Sequence, residues 1–229
     1  MYTTVVTRPD IAQIVGRISR STANPRKVHW EAALRVLGYL KGTAEQGLRC
    51  EGECDLEGMA DASWASDDKR GSTSGWFFAL NEGAVVWGSK RQKNTANSTA
   101  ESEYYAAGMA AMDAVWLKQL LKDLGMPVTK PIRIGEDNKS CIEHAKNPTN
   151  HSRMKHIEIK WHYTRELVER KTIELYYINT HRNVSDMLTK SLSRDVFLGF
   201  RTKQMAETTE RYDAQGKAKT KHQTQMMTK

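Results

Sequence analysis

Four acidic residues stand at positions in the sequence from which their side chains could converge on one site. Asp61 lies in a short apolar stretch typical of a strand, and Asp137 directly follows another such stretch. Glu103 lies in the first turn of a long predicted helix, and Asp186 lies in a short predicted helix near the end of the patterned sequence. Each acid alone has an ordinary structural explanation, so the prediction rests on the set and on its order along the chain.

The chemistry that these acids could perform depends on a metal. Clustered carboxylates repel one another unless a divalent cation neutralises them. Oxygen ligands without a neighbouring set of Cys and His indicate Mg²⁺ or Mn²⁺. Two such ions, about 4 Å apart, can stabilise both the attacking and the leaving oxygens of an in-line phosphoryl displacement. The sequence therefore favours metal-dependent phosphoryl chemistry.

One long helix is predicted from Ser98 to Gly125. Ser98 and Glu101 form a capping-box pattern, in which each side chain accepts from the other residue's backbone N–H, and Pro127 prevents continuation past Gly125. Apolar residues at steps of three and four predict its buried face: Ala107, Ala110, Ala114, Leu117, Leu121 and Leu124. Glu103 continues this face, whereas Glu101 lies about 200° away around the helix. We predict Glu103 as the metal ligand, with Glu101 as the alternative.

Hydrophobic periodicity predicts the elements that must position the acids. In order, these are strands at 58–64, 74–80 and 84–87, the long helix, a strand at 131–136, helices at 138–146 and 157–170, a strand at 172–178 and a helix at 183–191. Three consecutive strands suit an antiparallel meander, and the strand–helix–strand step suits a parallel crossover. The sequence therefore predicts a mixed α/β (α+β) fold with a five-stranded mixed sheet and helices on its faces.

Two flanking segments complete the predicted organisation. Residues 1–50 are predicted as a helical hairpin that packs on something larger, and residues 56–192 form the main domain. Residues 201–229 are rich in Lys, Gln, Thr and Met without an apolar period, which predicts a disordered basic tail.

Composition and charge narrow the class of protein and of partner. Of the 229 residues, 39% are hydrophobic and 27% are charged, as in soluble globular proteins. No apolar run approaches the ~20 residues that span a membrane, so we expect no membrane partner. The formal net charge of +8 favours a polyanionic partner. A basic stretch at 89–97, predicted as a loop, carries Lys90, Arg91 and Lys93.

Cysteine and histidine patterns favour an intracellular protein without zinc. Cys50, Cys54 and Cys141 show no pairing pattern, which predicts reduced thiols in the cytoplasm or nucleus. A zinc site would have to combine irregularly spaced residues that lack a Cys-x-x-Cys pair: His151, His156 and His162 with Cys141 or His144. His181, five residues before Asp186, is on a loop where a proton-shuttling His could assist product release; an ordinary loop residue is the favoured interpretation.

Seven short blocks carry a family resemblance. They are Ala-Asp-Ala-Ser-Trp-Ala (60–65), Arg-Gly-Ser-Thr-Ser-Gly-Trp (70–76), Trp-Gly-Ser-Lys-Arg-Gln (87–92), Ser-Thr-Ala-Glu-Ser-Glu-Tyr (98–104), Asp-Asn-Lys-Ser (137–140), His-Ser-Arg-Met-Lys-His-Ile (151–157) and Asp-Met-Leu-Thr-Lys (186–190). In this order, from about Leu56 to Leu192, they resemble the ribonuclease H domain of copia-type retrotransposon Pol polyproteins. The segment from Thr7 to Gly42 resembles the end of the reverse transcriptase that precedes that domain.

The resemblance implies a fold, an activity and a set of metal ligands. It implies a ribonuclease H-like fold that cuts the RNA strand of an RNA/DNA hybrid during reverse transcription, with two Mg²⁺ or Mn²⁺ ions, as part of a longer reverse transcriptase or Pol polyprotein. Asp61, Asp137 and Asp186 take the places of the family's metal-binding aspartates. Glu103, followed by two residues and a small apolar pair, fits the wider ribonuclease H pattern.

Several basic residues are candidates for contact with nucleic acid, and one residue departs from the family pattern. Lys90, Arg91 and Lys93 are expected to contact the nucleic-acid backbone. Arg153, Lys155 and His156 are expected either to contact backbone phosphates or to pack a helix start. Glu136 stands where the family pattern leads us to expect a neutral residue. Because strand neighbours alternate, Glu136 is predicted to face away from the site.

Two other functions stay open on the sequence. One is a catalytically silent nucleic-acid-binding remnant of a decayed retroelement, against which stands the presence of all four acids. The other is a DNA-strand-transferring recombinase of the same fold superfamily, for which Glu174 would be the candidate third acid, although Glu174 falls on a predicted strand rather than a late helix.

Overall fold

The computed structural model describes residues 2–48, 55–67, 70–81, 83–93, 95–146, 158–207, 211–212 and 218–219. Its α-helices are α1 (Tyr2–Val6), α2 (Ala12–Ser19), α3 (Lys27–Gly42), α4 (Thr99–Asp123), α5 (Lys139–Lys146), α6 (Glu158–Glu169), α7 (Asp186–Thr189) and α8 (Arg194–Gln204). Its strands are β1 (Gln46–Gly47), β2 (Leu56–Ser63), β3 (Thr73–Leu80), β4 (Gly83–Arg91), β5 (Ile132–Glu136), β6 (Ile173–Tyr177), β7 (Ala206–Glu207), β8 (Arg211–Tyr212) and β9 (Ala218–Lys219). Short 3₁₀ turns lie at Pro9–Ile11 and Thr180–Arg182.

A five-stranded mixed sheet forms the centre of the fold. Its strands lie in the order β4-β3-β2-β5-β6, with β2, β3 and β4 antiparallel and with β5 and β6 parallel to β2. The antiparallel part is a meander, whereas the parallel step from β4 to β5 is made through α4. The predicted five-stranded mixed sheet with helices on its faces is thus confirmed.

Helix α4 packs on the sheet through small side chains. Five alanines of α4 are fully buried: Ala106, Ala107, Ala110, Ala111 and Ala114. They form one core with side chains from the sheet, including Phe78 and Ile134. Leu124, predicted to continue the buried face, is instead 62% exposed. The helix ends at Asp123, and Gly125 adopts a left-handed conformation (φ 78°) that turns the chain away.

The start of α4 follows the predicted cap with one change. The hydroxyl of Ser98 accepts from the backbone N–H of Glu101 at 3.2 Å, as predicted. The carboxylate of Glu101, however, accepts from the N–H of Asn97 at 2.8 Å, where the capping box predicted the N–H of Ser98. Glu101 and Glu103 are both buried in this turn.

Strand β4 is longer than its predicted counterpart. The sequence predicted a strand at 84–87 followed by a basic loop, but Ser89, Lys90 and Arg91 continue the ladder with β3. Lys90 and Arg91 therefore lie in a strand, because backbone pairing with β3 extends beyond the apolar residues that mark the strand in the sequence. Lys93 follows the strand in an exposed position.

The terminal segments pack against each other. The predicted N-terminal helices are present, and Arg8 and Tyr39 both donate to the Asp10 carboxylate, at 2.7 and 2.6 Å. Residues 201–207 are ordered where disorder was predicted: α8 runs to Gln204, and β7 pairs with β1. A ring contact between Tyr39 and Phe197 and the burial of Met205 explain this order. Apart from β8 and β9, the chain after 207 lies outside the described residues.

Candidate metal centre

Adjacent parallel strands bring two of the predicted acids level with each other. Met59 of β2 pairs with Gly135 of β5, and continuing this register by two residues places Asp61 beside Asp137. Glu103 reaches the same place from the first turn of α4, whose small face packs on β2 and β5. Three separate elements thus deliver three carboxylates to one end of the sheet.

These three carboxylates have the spacing of a metal site. One oxygen each of Asp61, Glu103 and Asp137 lies within 4.8 Å of the others. Asp61 and Glu103 are buried and Asp137 is half-buried. Among the described residues, Glu103 Oε2 is buried without a hydrogen-bond partner. A buried carboxylate oxygen without a hydrogen-bond donor, beside two further carboxylates, is suited to binding a divalent cation, because Mg²⁺ and similar ions are coordinated by carboxylate oxygens.

Burial and mutual repulsion raise the pKa values of the clustered acids. Burial, followed by the charges of Glu136, Asp61 and Asp137, raises the pKa of Glu103 to about 11. Burial and the charge of Asp186 raise the pKa of Asp61 to about 7, against the opposing effects of Lys190 and Thr189. Without a cation, Glu103 is therefore protonated at neutral pH. A bound divalent ion would favour the ionised forms instead.

Asp186 lies beside this cluster with a cation of its own. It is the first residue of α7, rather than one turn inside a longer helix, and it is buried. Its carboxylate forms an ion pair with Lys190 one turn later, at 2.8 Å. Burial opposes the charge on Lys190, but Asp61, Asp186 and Asp137 together raise its pKa. Asp186 thus borders Asp61. The partly exposed Lys190 is the positive group that pairs with Asp186.

Glu136 is closer to the site than the sequence predicted. Strand alternation places it with Ile132 and Ile134 on the sheet face that α4 and α5 cover. It is therefore fully buried, and its charge is the largest electrostatic influence on Glu103. The prediction that Glu136 faces away from the site is wrong. Glu136 lies on the sheet face that α4 covers, and Glu103 lies in the first turn of that helix.

Two threonines that sequence reasoning did not single out contact the site acids. The hydroxyl of Thr189 donates to Asp61 Oδ2, and that of Thr180 donates to Asp137 Oδ2 at 2.7 Å. Thr189 belongs to the Asp-Met-Leu-Thr-Lys block, which is the sequence signal that could have revealed it. Thr180 belongs to no such block.

The other candidate residues are dispersed. Lys90 and Lys93 are exposed, whereas Arg91 Nε lies 2.6 Å from Asp67 Oδ2 in an ion pair. His162, His181 and Glu174 are exposed, and Cys141 is buried. Arg153, Lys155, His151, His156, Cys50 and Cys54 lie outside the described residues. Across the part of the chain that the structure describes, the acid trio is the group of His, Cys, Asp and Glu side chains able to hold an ion, and no helix there is long and apolar enough to cross a membrane.

Solved structures similar to this chain include ribonuclease H proteins. LC11-RNase H1, isolated from compost by a metagenomic approach, is 13% identical with a TM-score of 0.47, over 60% of this chain and 94% of that chain. The prototype foamy virus protease-reverse transcriptase is 16% identical with a TM-score of 0.42, over 62% of this chain and 21% of that chain. No family model matches the chain.

Sequence relatives cover more of the chain. The Pol polyprotein of transposon TNT 1-94 from Nicotiana tabacum is 43% identical over 200 residues, and that of transposon RE1 from Arabidopsis thaliana is 37% identical over 200 residues. A secreted RxLR effector protein 161 from Plasmopara viticola is 48% identical over 120 residues, which are 51% of this chain and 84% of that protein. The two polyprotein matches take in 86% of this chain but only 15% and 14% of the polyproteins. The homologues of this chain are thus retrovirus-related Pol polyproteins from copia-type plant transposons, and the chain spans about 15% of their length.

Proposed function

We propose that this chain is a retrotransposon ribonuclease H, which hydrolyses the RNA strand of an RNA/DNA hybrid in a metal-dependent reaction during reverse transcription. The observation that carries the proposal is the convergence of Asp61, Glu103 and Asp137 within 4.8 Å, with a buried Glu103 oxygen that has no hydrogen-bond partner in the described part of the chain. Similarity to retrovirus-related Pol polyproteins of transposons supports it.

Two Mg²⁺ or Mn²⁺ ions are the proposed cofactors. Asp61, Glu103 and Asp137 would hold one ion, and Asp61 with Asp186 would hold the second, since the Asp186 carboxylate borders Asp61. When bound, such ions activate a water nucleophile and stabilise the charge on the leaving oxygen. The oxygen-only donor set matches these hard cations better than it matches zinc.

The protein's own contribution is to hold the acids at fixed positions. Asp61 lies within a paired strand, Glu103 lies in a capped helix turn and Asp137 directly follows a paired strand. Donors from Thr189 and Thr180 hold one oxygen of each aspartate. Ligands fixed before the substrate arrives do not have to be ordered during the reaction, which is the basis of preorganised catalysis.

Basic side chains would place the hybrid without reading its sequence. The exposed Lys90 and Lys93 are the described residues best suited to backbone phosphates, because Arg91 is already paired with Asp67. Arg153 and Lys155 stay predicted contacts. The net charge of +8 would favour the approach of either strand of a hybrid.

The proposed partners are the hybrid and the remainder of a reverse transcriptase or Pol polyprotein, in the cytoplasm or nucleus. The polyprotein relatives support the second partner, since this chain corresponds to 14–15% of their length.

A cleavage assay with strand-specific labels tests the proposal. The purified chain should cut the labelled RNA strand of a hybrid in Mg²⁺ or Mn²⁺, leave the DNA strand and duplex DNA intact, and stop cutting when EDTA is added. The matched control is Asp61→Asn, which should bind the hybrid without cutting it.

The same assay separates the alternatives. Hybrid binding without cleavage by the wild-type chain would favour a catalytically silent remnant. Joining or cutting of duplex DNA would favour a recombinase. Either result would overturn the proposed ribonuclease activity.

A further inference from the structure

Helix α7 lies unusually close to the sheet at the position opposite Asp61. Asp61 of β2 pairs with Gly75 of β3. A Cβ at Gly75 would lie 2.6 Å from Thr189 Cγ2 and 2.9 Å from the backbone oxygen of Ser185. Real Cβ atoms do not approach other atoms so closely, so any other residue at this position would force α7 away from the sheet.

Two hydrogen bonds hold α7 in this position. The side-chain amide of Asn183, just before the helix, donates to the backbone oxygen of Ala60 at 2.8 Å. The hydroxyl of Ser89 on β4 donates to the backbone oxygen of Leu188 at 2.6 Å. The first contact joins α7 to β2, the strand that carries Asp61, and the second joins it to β4. Asn183 and Leu188 are both fully buried. The helix is therefore fixed relative to Asp61 rather than resting loosely on the sheet.

The close approach of α7 to the sheet places the Thr189 hydroxyl beside one carboxylate oxygen of Asp61. Thr189 is 2% exposed and donates to Asp61 Oδ2. Rotation about the last bond of an aspartate is soft, so a carboxylate without such a donor has no single preferred orientation. Residues that orient metal ligands in this way influence metal affinity strongly.

We propose that Thr189 is a positioning residue of the metal centre and that Gly75 is the glycine that allows it to act. In this arrangement the Thr189 hydroxyl holds Asp61 Oδ2, so that Oδ1 is presented to the cation. The inference rests on the proposed function of the acids as metal ligands, and it adds a determinant of metal affinity that is not itself a ligand.

Isothermal titration of the purified chain with Mn²⁺, in the absence of nucleic acid, tests this role. Thr189→Val keeps the shape of the side chain but removes the donor, and it should weaken Mn²⁺ binding by about tenfold or more. Thr189→Ser keeps the donor and should bind Mn²⁺ as the wild type does. Hybrid cleavage at limiting Mn²⁺ should follow the same order and should recover in Thr189→Val when Mn²⁺ is raised.

Two further variants separate positioning from stability. Thr73→Val removes an equally buried hydroxyl, which accepts from Arg20 at 3.3 Å, and it should leave Mn²⁺ affinity unchanged. Gly75→Ala retains every hydroxyl but displaces α7, and it should weaken Mn²⁺ binding as Thr189→Val does. Melting in EDTA identifies any variant that does not fold; if Thr189→Val is one, Thr189→Ala replaces it as the variant without a donor.

The outcomes distinguish this inference from the proposed function. If the wild type binds Mn²⁺ and Asp61→Asn does not, the proposal that the acids form a metal centre is supported. Wild-type affinity in Thr189→Val, or equal loss in Thr189→Val and Thr189→Ser, would then overturn the positioning role alone. A wild type that binds no Mn²⁺ would overturn both.

Discussion

Replacing Glu103 by Gln should stabilise the metal-free protein while it removes metal-dependent cleavage. Glu103 is 5% exposed, and burial together with three neighbouring acids raises its pKa from 4.5 to about 11. The folded protein at neutral pH must therefore hold a proton on this carboxyl, which the unfolded chain does not hold. A glutamine is neutral at every pH and needs no proton.

The size of the effect follows from the linkage between proton uptake and folding. The folded-state pKa is raised, so the contribution of Glu103 to stability is fully present below about pH 4.5 and is lost as the pH rises towards 11. Between pH 4.5 and pH 7, at about 1.4 kcal/mol for each pH unit, the loss is roughly 3 kcal/mol. Glu103→Gln should recover most of this, which corresponds to a rise in Tm of roughly 6–12 °C for a domain of this size.

Thermal unfolding in EDTA from pH 5 to pH 9 measures this effect. The Tm of the wild type should fall relative to that of Glu103→Gln as the pH rises, and the gap should close when Mn²⁺ is added to the wild type. Glu101→Ala is the matched control from the same helix turn. It removes the hydrogen bond to Asn97, so it should lower the free energy of unfolding by about 1 kcal/mol and retain hybrid cleavage.

Two results would refute this reasoning. A Glu103→Gln variant that melts below the wild type in EDTA at pH 8 would show that the carboxyl is not a destabilising buried acid. An inactive Glu101→Ala paired with an active Glu103→Gln would show that the metal ligand is the other glutamate.

Three further outcomes are expected. Asp137→Asn should abolish cleavage of a labelled hybrid in Mg²⁺ yet bind the hybrid in a gel-shift assay, because basic surface residues make most phosphate contacts; retained cleavage would place the site elsewhere. Lys190→Met should lower the Tm in EDTA, because Asp186 loses its partner at 2.8 Å, and should enlarge the Tm rise on adding Mn²⁺; an unchanged rise would contradict this. Lys90→Ala combined with Lys93→Ala should reduce the slope of log affinity against log salt by about one to two, equally for different hybrid sequences; an unchanged slope would exclude these lysines as phosphate contacts.

The parts of the fold that follow local rules were predictable from the sequence. The start of α4 was predicted from Ser98, and its end from Gly125, because caps and left-handed glycines are encoded within a few residues. The placement of Glu103 in line with the buried alanines followed from the helical period alone. Asp61 was predicted on a strand and Asp137 directly after one. Their side-by-side position in the sheet depends on the register between β2 and β5, which the sequence pattern does not reveal.

Features that depend on distant partners were not predictable in this way. The order of residues 201–207 comes from contacts of Phe197 with Tyr39 and from pairing of β7 with β1, more than 150 residues apart in the chain. The extension of β4 through Lys90 and Arg91 comes from pairing with β3, since neither residue has a strand-forming pattern of its own. In both segments, contacts with residues distant in the chain determine the secondary structure, and they override the local propensity of the polar and charged residues.

Glu136 shows why the site must be interpreted with both faces of the sheet in view. Alternation along β5 was applied correctly, because Glu136 does share a face with Ile132 and Ile134 rather than with Arg133. That face, however, is covered by α4, whose first turn carries Glu103. A buried acid beside the metal centre adds to the cost of ionising its neighbours, and either protonation or a bound cation relieves that cost. The alanine face of α4 packs on one face of the sheet, and α7 approaches the other face closely at Gly75. This packing holds the acids within metal-binding distance of one another, although burying several carboxyls together is destabilising.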